Sequence, residues 1–197
     1  MARPKVHDEA LRVRLLEKAV RALSEDGPEG LTLRRLAADV GTSTTAVYSL
    51  FGGKPGLLKA LFDEAFARFG RRLAAVEYSG DPRADLVALA LVYRDSALAE
   101  PHFYQVMFGP VGGAVDPDPE SSARALETFT PLVDAVRRAI EAGLLRETDP
   151  TMLATALWAG VHGLVTLEMR SLLPAAAGDP LELYRQTLAA LGRGFAP

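Results

Sequence analysis

The chain has 197 residues, 49% of them hydrophobic and 24% charged, with no cysteine and a net charge of −3. That is enough apolar material for the core of one or two domains, and the missing cysteine excludes disulfides and thiolate metal sites. The charge is uneven: residues 1–54 carry +2 and the remainder −5, which suits a head that meets phosphate, although so small an excess argues weakly.

The start, Met1 to Asp8, is charged and has no apolar run behind it, so no signal peptide is expected and the cytoplasm is the expected location. Leu11, Leu15, Ala19 and Leu23 then recur at helical spacing, with Asp8 able to cap the start and Gly27-Pro28 to stop it. A short second helix opens at Thr32, turns Leu33, Leu36 and Ala37 inward and ends at Gly41, where a left-handed φ is easy. Ser43 caps a third helix running to about Leu50, and Gly52-Gly53 breaks the chain. The fourth helix is long, with Leu57, Leu58, Leu61, Phe62, Ala65, Phe69 and Leu73 on one side.

Further helical patterns cover about 83–99, 101–108, 121–142, 150–173 and 180–195. Residues 109–119 make the longest loop, and Asp149-Pro150 and Asp179-Pro180 each read as an N-cap followed by a first-turn proline. The apolar stretch from Leu153 to Leu167 is interrupted by Thr155, His162 and Gly163 and reads as too short for a bilayer, so no membrane partner is expected. No strand alternation is present. The expectation is an all-α chain of about nine helices, divided into a three-helix head over 1–55 and a helical body over 56–197. No linker separates them, so the fourth helix crosses from one to the other.

Two short helices around Val40-Gly41-Thr42 form a helix-turn-helix pattern. Periodicity turns Ala46, Val47, Leu50 and Phe51 of the second helix toward the core and leaves Thr44, Thr45 and Tyr48 on the outer face. In such a motif that face enters the major groove. Threonine can bond base edges or rest its methyl on that of thymine, Tyr48 can bond a phosphate, and Lys54 adds charge beside open backbone N–H groups. The same three polar residues also suit a merely solvated face.

The run Gly41-Thr42-Ser43-Thr44-Thr45-Ala46-Val47-Tyr48-Ser49-Leu50-Phe51-Gly52-Gly53-Lys54, followed by Leu57-Leu58, resembles the TetR family's Gly-x-Ser-x-x-x-Leu-Tyr-x-x-Phe-x-x-Lys-x-x-Leu-Leu. Upstream, Gly30-Leu31-Thr32-Leu33-Arg34-Arg35-Leu36-Ala37 is similar to the opening of that family's second helix. The resemblance implies that Thr32, Tyr48 and Lys54 contact phosphates and that Thr44 and Thr45 read bases. Leu50 departs from it, standing where the family often has histidine. The implied function is a regulator, a repressor released from palindromic operator DNA by a small-molecule inducer. The implied body is a helical domain for ligand binding and dimerisation.

Within the body, Leu157-Trp158-Ala159-Gly160-Val161-His162-Gly163 resembles the Trp-x-x-x-His-Gly element of one TetR subfamily, and Glu100 to Gly109 is also similar to it. Trp158 and His162, four residues apart, share a helical face. With Phe103, Tyr104, Met107 and Phe108 they are the candidate lining for an apolar or aromatic ligand held between the 101–108 segment and that face. The same stripes also suit plain core, and a lone histidine more often satisfies itself in a core than binds a ligand. Ala156, Gly160 and Gly163 leave a strip with little side chain, and Tyr184, Thr187, Leu188 and Leu191 give the last helix an apolar stripe. Together these form the candidate seam of a homodimer, a four-helix interface whose two-fold symmetry suits a palindrome. The alternative is that both stripes pack within the chain.

The rival class is a helical adaptor or enzyme that acts without DNA. His7, His102 and His162 are isolated, and neither a Gly-x-Ser-x-Gly elbow nor a Gly-rich phosphate loop occurs, so no catalytic activity, cofactor or metal is expected.

Overall fold

The computed structural model describes residues 5–109 and 116–197, and every regular element among them is helical. The helices are α1 (Lys5–Gly30), α2 (Leu33–Val40), α3 (Thr44–Phe51), α4 (Lys54–Ala74), α5 (Pro82–Ala99), α6 (Pro101–Phe108), α7 (Pro119–Glu127), α8 (Thr130–Glu141), α9 (Pro150–Met169) and α10 (Pro180–Gly194). A 3-10 turn at Ala175–Ala177 precedes the last. Most of the loop expected over 109–119 lies outside the described residues.

The helices start and stop for local reasons. Thr32 accepts a hydrogen bond from the Arg35 amide at 3.3 Å, and Ser43 accepts one from Ala46 at 3.1 Å. Asp149 and Asp179 do the same for Met152 and Glu182 at 2.7 and 2.9 Å. Each satisfies an amide that has no partner inside its own helix. Gly41 ends α2 at φ 72°, ψ 41°, with its N–H returning to the last turn; only glycine takes that conformation without cost, and it is what lets α3 leave in a new direction. Three boundaries differ from expectation, one of them at the end of α9, which stops at Met169 and not at 173. Gly27 interrupts α1, but Pro28–Gly30 resume a last helical turn beyond it. The helix expected over 121–142 is two helices, because Pro131 in the first turn of α8 has no amide to continue α7.

The chain forms two compact units, residues 1–68 with 100–125, and residues 69–99 with 126–197. α4 belongs to both, passing from the first to the second after Arg68. In the first unit, Leu15, Leu16, Ala19, Val20 and Leu23 of α1 pack with Leu36, Ala37 and Val40 of α2. Val47 and Phe51 of α3 and Leu57, Leu61 and Ala65 of α4 complete this core. Each leucine fully removed from water contributes roughly 1.5–3 kcal/mol.

The unit also includes α6, which the 1–55 and 56–197 division places in the body. Phe103 and Val106 of α6 enter the head core. Arg68 then ties the helices together. It reaches Glu17 of α1 at 2.6 Å, Glu64 of α4 at 2.8 Å and Glu100 before α6 at 2.9 Å, and its guanidinium covers the Phe103 ring at 4.3 Å. The Ser24 hydroxyl adds a bond to Gln105 Oε1 at 2.6 Å.

The second unit packs α5, α8, α9 and α10. Leu89, Tyr93 and Ala97 line one face of α5; Ala135, Val136 and Ala139 come from α8, and Leu153, Ala154, Val161 and Val165 from α9. The loop before α5 is closed by Asp85, which accepts from the Ser79 amide and hydroxyl, both at 2.8 Å; these bonds hold its carboxyl below the usual carboxylate range. Arg94 of α5 meets both carboxylate oxygens of Glu168 on α9, so both ends of this largely buried pair are satisfied.

Candidate DNA interface and the body cluster

In the first unit, α3 is pinned by its apolar side. Val47 and Phe51 are buried, and Ala46 and Leu50 are half-buried. Thr44, Thr45 and Ser49 are exposed, and Tyr48 is 56% exposed. An eight-residue helix has room for little else, so its remaining face is a short polar surface held rigidly at both ends by Ser43 and Gly52. Thr32 is exposed at the start of α2. Lys54 is half-buried, and its Nζ donates to the Pro28 carbonyl at 2.6 Å. One of its three N–H donors thereby ties the start of α4 to the end of α1.

These proportions match known proteins. Residues 15–61 match the family described as bacterial regulatory proteins, tetR family, and residues 86–191 match the tetracyclin repressor-like C-terminal domain. The second match alone covers more than half of the chain. The chain belongs to the TetR family.

Among curated relatives, the HTH-type transcriptional regulator Mb1846 of Mycobacterium bovis is 25% identical over 190 residues, covering 82% of this chain and 81% of the relative. BetI of Brucella canis is 31% identical over 91 residues, 45% of this chain and 46% of the relative. A solved protein from Rhodococcus sp. RHA1 superposes with a TM-score of 0.79 at 29% identity, over 95% of this chain and 96% of that one. AibR, solved in complex with isovaleryl coenzyme A and operator DNA, superposes with a TM-score of 0.63 at 19% identity, over 91% and 97% of the two chains. As a TetR-family protein this chain is a DNA-binding transcriptional regulator, and the reading as a helical protein acting without DNA gives way.

The candidate ligand residues divide between the units. Phe103, Tyr104, Met107 and Phe108 lie in the first. Phe103 and Tyr104 are buried, Met107 packs against the head core, and Phe108 meets the rings of Phe66 and Tyr104 at 5.9 and 5.1 Å between centroids. Trp158 and His162 lie in the second, one turn apart on α9, their rings 5.4 Å apart. Tyr93 and Phe129, which sequence reading did not single out, extend this pair. The Tyr93 hydroxyl and His162 Nδ1 share a hydrogen bond of 2.8 Å, and Phe129 lies edge-on to Trp158 at 5.8 Å. Burial pushes the His162 imidazole below its ordinary pKa, so the ring is neutral at pH 7. Tyr93 sits 69 positions from His162; its only local signal is the Leu89, Tyr93, Ala97 spacing of a buried α5 face.

The candidate seam also divides. Ala156 and Gly163 are exposed, as expected for a surface another helix could approach. Thr187, Leu188 and Leu191 are half-buried. Gly160 is explained within the chain: a Cβ there would stand 2.8 Å from Leu191 Cδ1, so the glycine admits α10. Tyr184 does not belong to the seam. It is 0% exposed, its hydroxyl donates to the Ala90 carbonyl at 2.6 Å, and it packs α10 onto α5. An apolar stripe at helical spacing looks alike whether its partner is the same chain or another.

α9 nevertheless keeps an uncovered apolar face. Met152 is 55% and Leu167 43% exposed, with Ala156, Ala159 and Gly163 exposed between them at intervals of three and four. By length and composition α9 is long enough to cross a membrane, a correction to the shorter span read from Leu153 to Leu167, and only 22% of its apolar window is buried.

Proposed function

We propose that this regulator is a cytoplasmic homodimeric repressor, without catalytic activity, that leaves a palindromic operator when an apolar or aromatic small molecule binds. The observation that carries the DNA half is the exposed Thr44, Thr45 and Tyr48 face on a helix fixed by its own core residues and caps. The two threonines read bases, and Thr32, Tyr48 and Lys54 contact phosphates; the bond from Lys54 to Pro28 leaves two N–H donors for that task. Dimerisation is supported by the α9 face from Met152 to Leu167, flanked by the half-buried Thr187, Leu188 and Leu191 of α10. A second copy covering it would remove exposed apolar area and give two recognition helices related by a two-fold axis.

The ligand half is supported by the Tyr93, His162, Trp158 and Phe129 cluster, which is aromatic, carries a neutral imidazole bonded to a hydroxyl and lies within the residues that match the family's C-terminal domain. A fold neighbour binds both a small molecule and operator DNA. α4 supplies continuity, because one uninterrupted helix begins beside the recognition helix and ends in the body unit. A ligand that prefers one setting of that helix weakens DNA binding, and DNA weakens ligand binding by the same factor.

Trp158 is the only tryptophan, so its emission reports on the cluster directly. Titration with a panel of small aromatic compounds should change Trp158 emission in step with release of a bound operator duplex. Release that leaves the emission unchanged, and that persists in a Trp158→Leu, His162→Leu protein, would place the ligand elsewhere.

A further inference from the structure

Among the described residues up to Lys54, most cations of the head are committed to the protein itself. Arg14 donates to the Val40 carbonyl at 2.6 Å and Lys18 reaches Asp39 at 3.5 Å. Arg35 is paired with Asp26 at 2.8 Å, and Lys54 donates to Pro28. Arg12 lies 3.7 Å from Glu9. Among the described residues of the helix-turn-helix pair, Arg34 is the one basic side chain with neither a hydrogen bond nor an ion pair, and it is exposed. Arg21 is also uncommitted but lies on α1, outside that pair.

Its position on α2 is set by its neighbours. Leu36, Ala37 and Val40 face the core, while Arg35 and Asp39 face α1 through their ion pairs with Asp26 and Lys18. Arg34 and Ala38, four residues apart and both exposed, are left on the side of α2 turned away from α1. In a helix-turn-helix the first helix crosses the DNA backbone while the second enters the groove. A long side chain on the open side of that first helix, with no internal partner to give up, meets phosphate at little cost.

We propose that Arg34 is a principal phosphate contact of the head, its guanidinium fork holding a backbone phosphate that α2 crosses. The proposal rests on the DNA-binding reading and adds to it a residue that motif reading passes over. Arg34 and Arg35 are adjacent and carry the same charge, yet one is open and the other tied to Asp26. Net charge and the long-range field therefore change equally when either is neutralised, and only a direct contact tells them apart.

The test uses the full chain and a 30-base-pair mixed-sequence duplex, about three helical turns at ~10.5 base pairs each, with affinity read by fluorescence anisotropy from about 50 to 200 mM salt. Arg34→Gln should weaken binding and lower the slope of log affinity against log salt by about 1. Arg35→Gln should leave the slope unchanged, and Arg34→Lys should keep it near the parent's, which guards against a folding defect in the glutamine variant. Equal slopes for Arg34→Gln and the parent would overturn the proposal, as would equal losses in Arg34→Gln and Arg35→Gln. A parent chain without salt-dependent binding would instead sink the DNA-binding reading itself, and this proposal with it.

Discussion

α3 and α9 each show solvent a face that their own unit does not cover, but the two faces have opposite chemistry. On α3 the open residues are Thr44, Thr45 and Tyr48, groups that bond a polar surface. On α9 they are Met152, Ala156, Ala159, Gly163 and Leu167, groups that gain only by leaving water. A polar open face is stable alone and selects a partner by hydrogen bonds, whereas an apolar one asks to be covered. DNA and a second copy of the chain are the partners these two chemistries fit.

The largest effect should come from charging the α9 face. Ala159→Asp with Gly163→Asp would bury two carboxylates in each subunit of the seam, at several kcal/mol per unpaired ion. The double variant should sediment as a folded monomer while the parent sediments as a dimer. If it remains a dimer, the apolar face of α9 is not the interface. Tyr184→Phe should act in the opposite sense. It removes a buried bond to the Ala90 carbonyl and should cost about 1 kcal/mol of unfolding free energy, with the dimer unchanged. A shift in subunit equilibrium without loss of stability would return Tyr184 to the seam.

The smallest effect is the titration of His162. Burial disfavours its charged form, so its folded pKa lies below the ordinary 6.5. Between the two values the unfolded chain holds the extra proton. The body's stability is therefore full above about pH 6.5 and falls as the pH drops through that value. The imidazole should titrate by NMR with a midpoint below 6.5, and His162→Gln should flatten this part of the stability profile. A midpoint above 6.5 would mean that a neighbouring charge, not burial, dominates the site.

What was legible in the sequence follows the range of the interactions. The head could be read because its determinants are local: Thr32, Gly41, Ser43 and Gly52 act within a few residues of the turns they make. Pro131 is as local a signal, yet the helical pattern over 121–142 reads as one helix and the break between α7 and α8 is seen only in the structure. The body could be read only as helical. The Tyr93–His162 pair, the Arg94–Glu168 pair and the fit of Leu191 over Gly160 join residues 31 to 74 positions apart, and periodicity within one helix does not say which helix it meets. Tyr184 shows the same limit, since its place in an apolar stripe does not reveal that its own chain buries it, and so does α6, whose Phe103 enters the head core.

The central claim is that the outer face of α3 reads DNA as one of a two-fold pair. The most direct measurement is selection of bound duplexes from a random-sequence library by the full chain, repeated with Thr44→Ala and Thr45→Ala. The account predicts a two-fold symmetric motif with half-sites about one helical turn, ~34 Å, apart. It also predicts a changed base preference in the threonine variants, worth about 1–3 kcal/mol at the affected position. A single unpaired half-site, or a motif that both threonine variants leave unaltered, would contradict it.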